Sequence, residues 1–323
     1  MNIYGHWNKI MNLQEKYSPG VNKLIHHMDH LKSILESKPI APLHVSVWPT
    51  LRCQCKCSYC CCRNTVDRNV KDLDINKFII AIDALSKYGT KAIEFSGGGE
   101  PLLWMPLNES VKYIKSKDIK LSLISNGLLI DKVPEEILKV FSWIRISLQS
   151  IKHAESIDFD KISKFTKISA SYIVGNDISD LSIIESLYNF AKNKKIVIRI
   201  AIQRPNSLDR ENLIGNCVDS FGDPIFFSWK AANQSICCYM AWIRAAIDWR
   251  GKFLPCPAMQ LSSESEGKIP NDFSLCNIED LEKWILDNPP RDLGYKCQFC
   301  NCGKEHNDFI YNCLKEIPDA EFV

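Results

Sequence analysis

The sequence predicts an α/β fold, an open and partial (β/α)6 barrel followed by a small cysteine-rich region. Three observations point there. Short apolar runs alternate with amphipathic stretches six times between residues 43 and 205. The connections are short, which within one sheet implies parallel strands and right-handed crossovers. The fifteen cysteines are also grouped, with six at 53, 55, 57, 60, 61 and 62 and the rest at 217, 237, 238, 256, 276, 297, 300, 302 and 313. A cysteine-free stretch thus separates two cysteine-bearing regions.

The elements follow in order. LHVSVW (43–48) reads as a strand. DINKFIIAIDALSKYG (74–89) sets Ile75, Phe78, Ile79, Ile82 and Leu85 at helical spacing, with Asp74 near its start and Gly89 past its end. KAIEFS (91–96) is the second strand and 106–117 the next helix. KLSLIS (120–125) is a strand, and PEEILKVF (134–141) a helix opened by Pro134. WIRISL (143–148) is a strand, followed by a weaker helix near 159–166. KISASYIV (167–174), the helix over 180–195 and IVIRIAI (196–202) complete the series. Six units are too few for the eight of a full TIM barrel. After 205 the periodicity weakens, so three parts are expected: a lead-in over 1–42, the barrel over 43–205 and a smaller region over 206–323.

Composition narrows the function classes. Hydrophobic residues make up 46% and charged residues 24% of the 323, as in ordinary globular proteins. No apolar stretch approaches the roughly 18–20 residues of a membrane span. The opening MNIYGHWNKIMNLQEKYSPG lacks a basic segment followed by an apolar run. A cytoplasmic location and no membrane partner are therefore expected. A net charge of +2 argues against a strong grip on a nucleic-acid polymer, though not against a nucleotide substrate. The lead-in reads as polar and partly helical, with His26 and His30 of HHMDH on a solvated helix face.

The stretch CQCKCSYCCCR (53–63) directly follows the first strand. Disulfides, a zinc knuckle and an iron–sulfur cluster compete for it. Without an export signal, such a group is more often metal-binding or catalytic than a disulfide scaffold. Cys53, Cys57 and Cys60 have spacing C-x3-C-x2-C, with Tyr59 just before the last. A structural zinc site normally closes with four protein ligands. Three thiolates on one loop would leave one iron of a cubane cluster for an external ligand.

That pattern resembles the signature of the radical S-adenosylmethionine (radical SAM) superfamily. FSGGGEPLL (95–103), after the second strand, is similar to the family's GGEP motif. The resemblance implies that Gly98, Gly99 and Glu100 border the methionine end of SAM, with Glu100 meeting its amino group or orienting the loop. It further implies SAM contacts from Ser125 and Asn126 of SNG (125–127), from Ser147 on the fourth strand and from Gln203 after the sixth. A 4Fe–4S cluster on Cys53, Cys57 and Cys60 and SAM itself are the implied cofactors. A 5′-deoxyadenosyl radical that removes a hydrogen atom from substrate is the implied chemistry.

The second region runs from Cys238 over twelve residues to Gly251, then four more to Cys256, with a hairpin expected at Arg250-Gly251. This resembles the opening of the SPASM and twitch extensions of radical SAM enzymes. The closing KCQFCNCGK (296–304) is too short for a full SPASM pattern. The resemblance implies one auxiliary 4Fe–4S cluster on Cys238, Cys256, Cys297 and Cys300, with Cys302 and Cys237 as alternates; a four-cysteine zinc site also fits the spacing. Cys217 and Cys276 are expected as buried thiols or as hydrogen-atom donors. The expected substrate is a small molecule or nucleotide, undergoing dehydrogenation, epimerisation or rearrangement. A ribosomally made peptide and a non-enzymatic metal-binding scaffold are the alternatives. An external electron donor such as flavodoxin or ferredoxin is the expected partner.

Overall fold

The computed structural model describes residues 13–17, 20–60, 62, 70–176, 181–203, 207–229, 237–258, 273–294 and 303–315. The lead-in contains α1 (Leu13–Tyr17), a 3-10 turn (Val21–His26) and α2 (Met28–Leu35). The barrel alternates β1 (His44–Val47), α3 (Ile75–Lys87), β2 (Ala92–Phe95), α4 (Leu107–Ser116) and β3 (Lys120–Ser125). It continues with α5 (Glu135–Leu138), β4 (Phe141–Leu148), α6 (Ile151–Glu155), α7 (Phe159–Ser163) and β5 (Lys167–Val174). Then come α8 (Ser182–Lys194), β6 (Val197–Ile202), α9 (Leu208–Phe221) and β7 (Ile225–Phe227). The rest holds α10 (Met240–Ile243), β8 (Arg244–Ile247), β9 (Lys252–Leu254), β10 (Cys276–Asn277), α11 (Leu281–Asp287) and α12 (Lys304–Leu314).

The strands form one sheet in the order β10-β9-β8-β1-β2-β3-β4-β5-β6-β7. From β1 to β7 every neighbouring pair is parallel, as the alternating pattern requires. The expected α/β partial barrel is thus present. The sheet also runs past residue 205 in both directions. The α9–β7 unit extends it beyond β6, and β8 pairs parallel to β1 at the other edge. The weaker helix expected at 159–166 is the short α7, capped by the Asp158 side chain, and a further short helix that was not expected, α6, precedes it with Ser150 as its cap. Pro134 sits at the N-cap of α5, where its missing N–H is no loss.

The two faces of the sheet differ. Register places Val45 and Val47, Ile93 and Phe95, Leu121 and Leu123, and Ile144 and Ile146 on one face. These are all buried, and helices cover them. Phe78, Ala81, Ile82 and Leu85 of α3 pack there, and Phe78, Phe95 and Trp104 form a mutual aromatic cluster at 5.7–6.1 Å. Each such side chain contributes about 1.5–3 kcal/mol on burial. The other face carries Ser46, Glu94, Ser122, Arg145, Ser147, Ser169, Ser171 and Arg199. The barrel therefore has an apolar outside and a polar lumen.

One expectation about the lead-in fails. His26 ends the 3-10 turn, whereas His30 lies in α2, so the two do not share a helix face. His30 is buried, and its Nε2 pairs with the Trp242 carbonyl at 2.8 Å. Leu24, Leu31 and Ile34 are buried with it. The lead-in is docked by an apolar stripe, and of the two histidines only His26 stays exposed. No helix among the described residues is long and apolar enough to cross a membrane.

Candidate active site

The loops that leave the C-terminal ends of β1, β2, β3 and β4 meet at one end of the barrel, where parallel α/β folds hold their ligands. The first is the cysteine loop. Its backbone is joined to the β2 loop by Gly99 N–H to the Thr50 carbonyl and Glu100 N–H to the Arg52 carbonyl, both at 2.8 Å. Contact is close enough to demand glycine: a Cβ on Gly99 would lie 2.2 Å from the Arg52 oxygen and 2.5 Å from the Leu51 carbonyl carbon. Arg52 also pairs with Asp72 and donates to the Leu103 carbonyl at 2.7 Å.

Glu100 joins the second loop to the third. Its side chain is buried. Oε1 accepts from the Ser125 hydroxyl at 2.7 Å and the Leu102 N–H at 3.1 Å, and Oε2 accepts from the Asn126 N–H at 2.7 Å. Burial pushes its carboxyl above the usual range, against the pull of these three donors. Of the two roles expected for Glu100, the geometry favours orienting the loops, since both oxygens already accept from the protein.

The same region reaches the sulfurs. Asn126 Nδ2 lies 3.9 Å from Cys53 Sγ. The N–H groups of Cys55 and Cys62 donate to Cys53 Sγ and Cys60 Sγ, each at 3.4 Å. Gln149, just past β4, donates to Cys55 Sγ at 2.7 Å. Tyr59 donates its hydroxyl to the Leu148 carbonyl at 3.1 Å, tying the loop to β4. Burial pushes the Cys53 and Cys57 thiols up, and Cys55 up to about 12. This desolvated pocket disfavours bare thiolates, so a bound metal's positive charge is what would hold three of them there. The N–H donors aimed at sulfur suit a thiolate-ligated iron–sulfur group. Among the described residues, no three His, Cys, Asp or Glu side chains are gathered as the ligands of a metal ion.

The remaining expected residues lie further off. Gly98 is buried in the β2 loop. Ser147 is half-buried on the lumen face of β4, opposite Ser171. Gln203 Oε1 accepts from the Asn176 N–H at 3.1 Å, which engages it with the loop after β5. Sequence reasoning missed Gln149, Tyr59's anchor and the lumen arginines.

In the second region the expected hairpin is present. β8 and β9 pair antiparallel, Gly251 has φ +73°, and its N–H donates to the Asp248 carbonyl at 3.0 Å. Buried Asp248 Oδ1 accepts from the N–H groups of Arg250 and Lys252. Cys238 is buried, with its N–H on Asp292 Oδ1 at 2.8 Å, and Cys237 is buried beside Asn307. Cys256 is half-buried. Cys297, Cys300 and Cys302 lie outside the described residues, as does Cys61. Cys217 and Cys276 are half-buried, and burial pushes Cys276 up to about 12.

Comparison with known proteins agrees with this arrangement. Residues 48–176 match the radical SAM superfamily. A probable GTP 3′,8-cyclase of Methanococcus maripaludis is 29% identical over 127 residues, 39% of this chain and 41% of that protein. The Fe-coproporphyrin III synthase of Methanosarcina barkeri is 30% identical over 140 residues, 42% of this chain and 33% of that protein. Both matches span less than half of the relative. Among solved structures, Streptococcus suis SuiB bound to precursor peptide SuiA shares the fold at TM-score 0.57 and 16% identity, covering 81% of this chain and 69% of that one. The cysteine loop and the glycine-rich loop both lie within residues 48–176, the stretch that matches the radical SAM superfamily, and the parallel sheet carries them in that order.

Proposed function

We propose that the chain is an enzyme that cleaves S-adenosylmethionine reductively and removes a hydrogen atom from a small-molecule or nucleotide substrate. The observation that carries the reading is the junction of the cysteine, GGGEP and SNG loops through Gly99 and Glu100. Cys53, Cys57 and Cys60 would hold a 4Fe–4S cluster, with Gly98, Gly99, Ser125 and Asn126 beside the methionine end of SAM. When bound, the pair supplies one-electron cleavage of the sulfonium to a 5′-deoxyadenosyl radical. Glu100 sets the relative position of two loops, and the buried junction excludes water. Ser147 and Gln203 line the way from that end into the lumen.

Residues 206–323 are proposed as an auxiliary-cluster region that shares the barrel's sheet. Cys238, Cys256, Cys297 and Cys300 would hold a second 4Fe–4S cluster, whose closed ligand set gives it an electronic or structural role. The probable GTP cyclase among the relatives supports a nucleotide substrate. A peptide is the second reading, supported by SuiB, whose structure holds its precursor peptide. Anaerobic reconstitution with iron and sulfide, followed by assay of 5′-deoxyadenosine, tests the core proposal. The wild type should produce it under a strong reductant, and the Cys53→Ala/Cys57→Ala/Cys60→Ala variant should not. Production by that variant would sink the assignment.

A further inference from the structure

The cysteine loop holds more thiols than a cluster with one open iron requires. Cys55 lies two residues from Cys53 and two from Cys57, between two of the expected ligands. Its N–H is 3.4 Å from Cys53 Sγ, so its own side chain starts beside a ligand sulfur. Burial does not set it apart, because Cys53, Cys55, Cys57 and Cys60 are all half-buried. Iron–sulfur iron takes thiolate as its ordinary ligand. A thiolate tethered in the loop would compete with an external ligand at an effective concentration in the millimolar range, as a short flexible linker gives. Sequence spacing alone therefore leaves the fourth position open to Cys55.

The restraint on Cys55 comes from β4. Gln149, the first residue past that strand, donates from Nε2 to Cys55 Sγ at 2.7 Å. Gln149 is itself held. Its N–H donates to His153 Nδ1 at 3.2 Å, and the His153 N–H donates to the capping Ser150 hydroxyl of α6 at 3.1 Å. The neighbouring Leu148 carbonyl accepts from the Tyr59 hydroxyl at 3.1 Å. Two successive residues at the end of β4 thus grip the loop at positions 55 and 59. The grip on Tyr59 uses a backbone carbonyl, which any residue at 148 would supply. The grip on Cys55 needs the Gln149 side chain and its amide donor.

We propose that Gln149 is a positioning residue that keeps Cys55 out of the cluster's ligand set and so reserves the open iron for SAM. The proposal rests on the cluster and SAM assignments made above. Without the Gln149 donor, the Cys55 sulfur would bond to the open iron as thiolate and release its proton to solvent, with no electron transferred. SAM would then have to displace it. With Cys55 on the iron nine-tenths of the time, SAM binding would weaken about tenfold. The test uses the reconstituted full chain reduced with dithionite, and reads electron paramagnetic resonance and equilibrium dialysis of SAM rather than turnover. Wild type and Cys55→Ala should bind SAM equally and show the same spectral change on its addition. Gln149→Leu should bind SAM about tenfold more weakly, and its SAM-free spectrum should differ from that of the wild type. Gln149→Leu/Cys55→Ala should recover both the wild-type spectrum and the wild-type affinity. A merely structural Gln149 predicts no such recovery, since deleting the Cys55 sulfur does not repair a loosened loop. Iron counting and circular dichroism melting identify a variant that fails to load or fold, and Gln149→Ala then carries the comparison. Cluster loss in Cys55→Ala would make Cys55 a ligand and overturn the proposal. Unchanged SAM binding in Gln149→Leu would overturn it too, as would failure of Cys55→Ala to rescue the Gln149 variants. A wild type whose spectrum ignores SAM would count against the function proposed above. The SAM-free spectra of Gln149→Leu and its double variant would still decide whether Cys55 joins the cluster.

Discussion

Replacing Glu100 by Gln tests whether the loop junction is what holds the site together. The carboxylate accepts three hydrogen bonds, two on Oε1 and one on Oε2. An amide keeps an oxygen toward Leu102 and Ser125 but turns an NH2 group on the Asn126 N–H. A buried donor left unsatisfied costs about 1–3 kcal/mol, and the two surviving bonds lose their charge assistance, about 1 kcal/mol each. The gross loss is therefore about 3–5 kcal/mol. Burial disfavours the ionised Glu100, and the amide removes that penalty, so a net loss of about 2–3 kcal/mol is expected. For a chain of this length that lowers Tm by roughly 3–5 °C. Because Asn126 touches Cys53, SAM-dependent formation of 5′-deoxyadenosine should fall by more than the stability loss accounts for at 25 °C. Calorimetric melting and product assay on the same reconstituted sample check both. A variant with wild-type Tm and wild-type product formation would refute the reasoning.

Three further outcomes follow from other parts of the molecule. Gly99→Ala forces a Cβ against the backbone of residues 51 and 52; at least a tenfold loss of 5′-deoxyadenosine formation is expected, and an unchanged rate would show that the loops part freely. Reconstituted wild type should contain about eight irons per chain and a Cys238→Ala/Cys256→Ala variant about four, read by a colorimetric iron assay; four in both would leave no auxiliary cluster. Buried His306 is pushed down to about 4, from burial first and Arg244 second, against an ordinary value of about 6.5. Its unfolded form takes up a proton first as pH falls, so stability is intact above about 6.5 and declines toward 4. The loss is about 2 kcal/mol at pH 5. Urea denaturation of wild type and His306→Gln from pH 7 to 5 should show that much less slope in the variant.

Much of the barrel was legible because its outward face obeys simple rules. The helix over 75–87 has a capping Asp74 and a buried stripe of Phe78, Ile82 and Leu85, and both features are local. The cysteine and GGGEP loops were legible because each lies within a dozen residues. The docking of the lead-in was not. It depends on His30 meeting a carbonyl 212 residues away, and no local pattern encodes that. The continuity of the sheet past 205 was hidden for the same reason: β8 pairs with β1 across 200 residues, His44 opposite Arg244. The split of Glu100 toward loop positioning was invisible because a buried carboxylate and a ligand-facing one look alike in sequence.

The lumen was legible and went unread. Strands of a parallel sheet covered on both faces should be near-continuous apolar runs. HVSV, AIEF, KLSLIS, WIRISL, KISASYIV and VIRIAI instead carry polar or small residues at many alternate positions, among them Ser46, Glu94, Ser122, Arg145, Ser147, Ser169, Ser171 and Arg199, with Ile124, Trp143, Ile173 and Val197 as exceptions. Alternation means that one face is not covered by a helix layer. With the apolar face buried under helices, the polar residues face the inside of the barrel, where Ser46 and Arg244 both donate to Glu94. The fold's apolar packing thus resides in the outer layer. The lumen's Ser46, Glu94, Ser122, Arg145 and Ser169 are buried as well, and hydrogen bonds such as Ser46 to Glu94 at 3.2 Å and Arg145 to the Tyr17 carbonyl at 2.8 Å hold part of that inner layer.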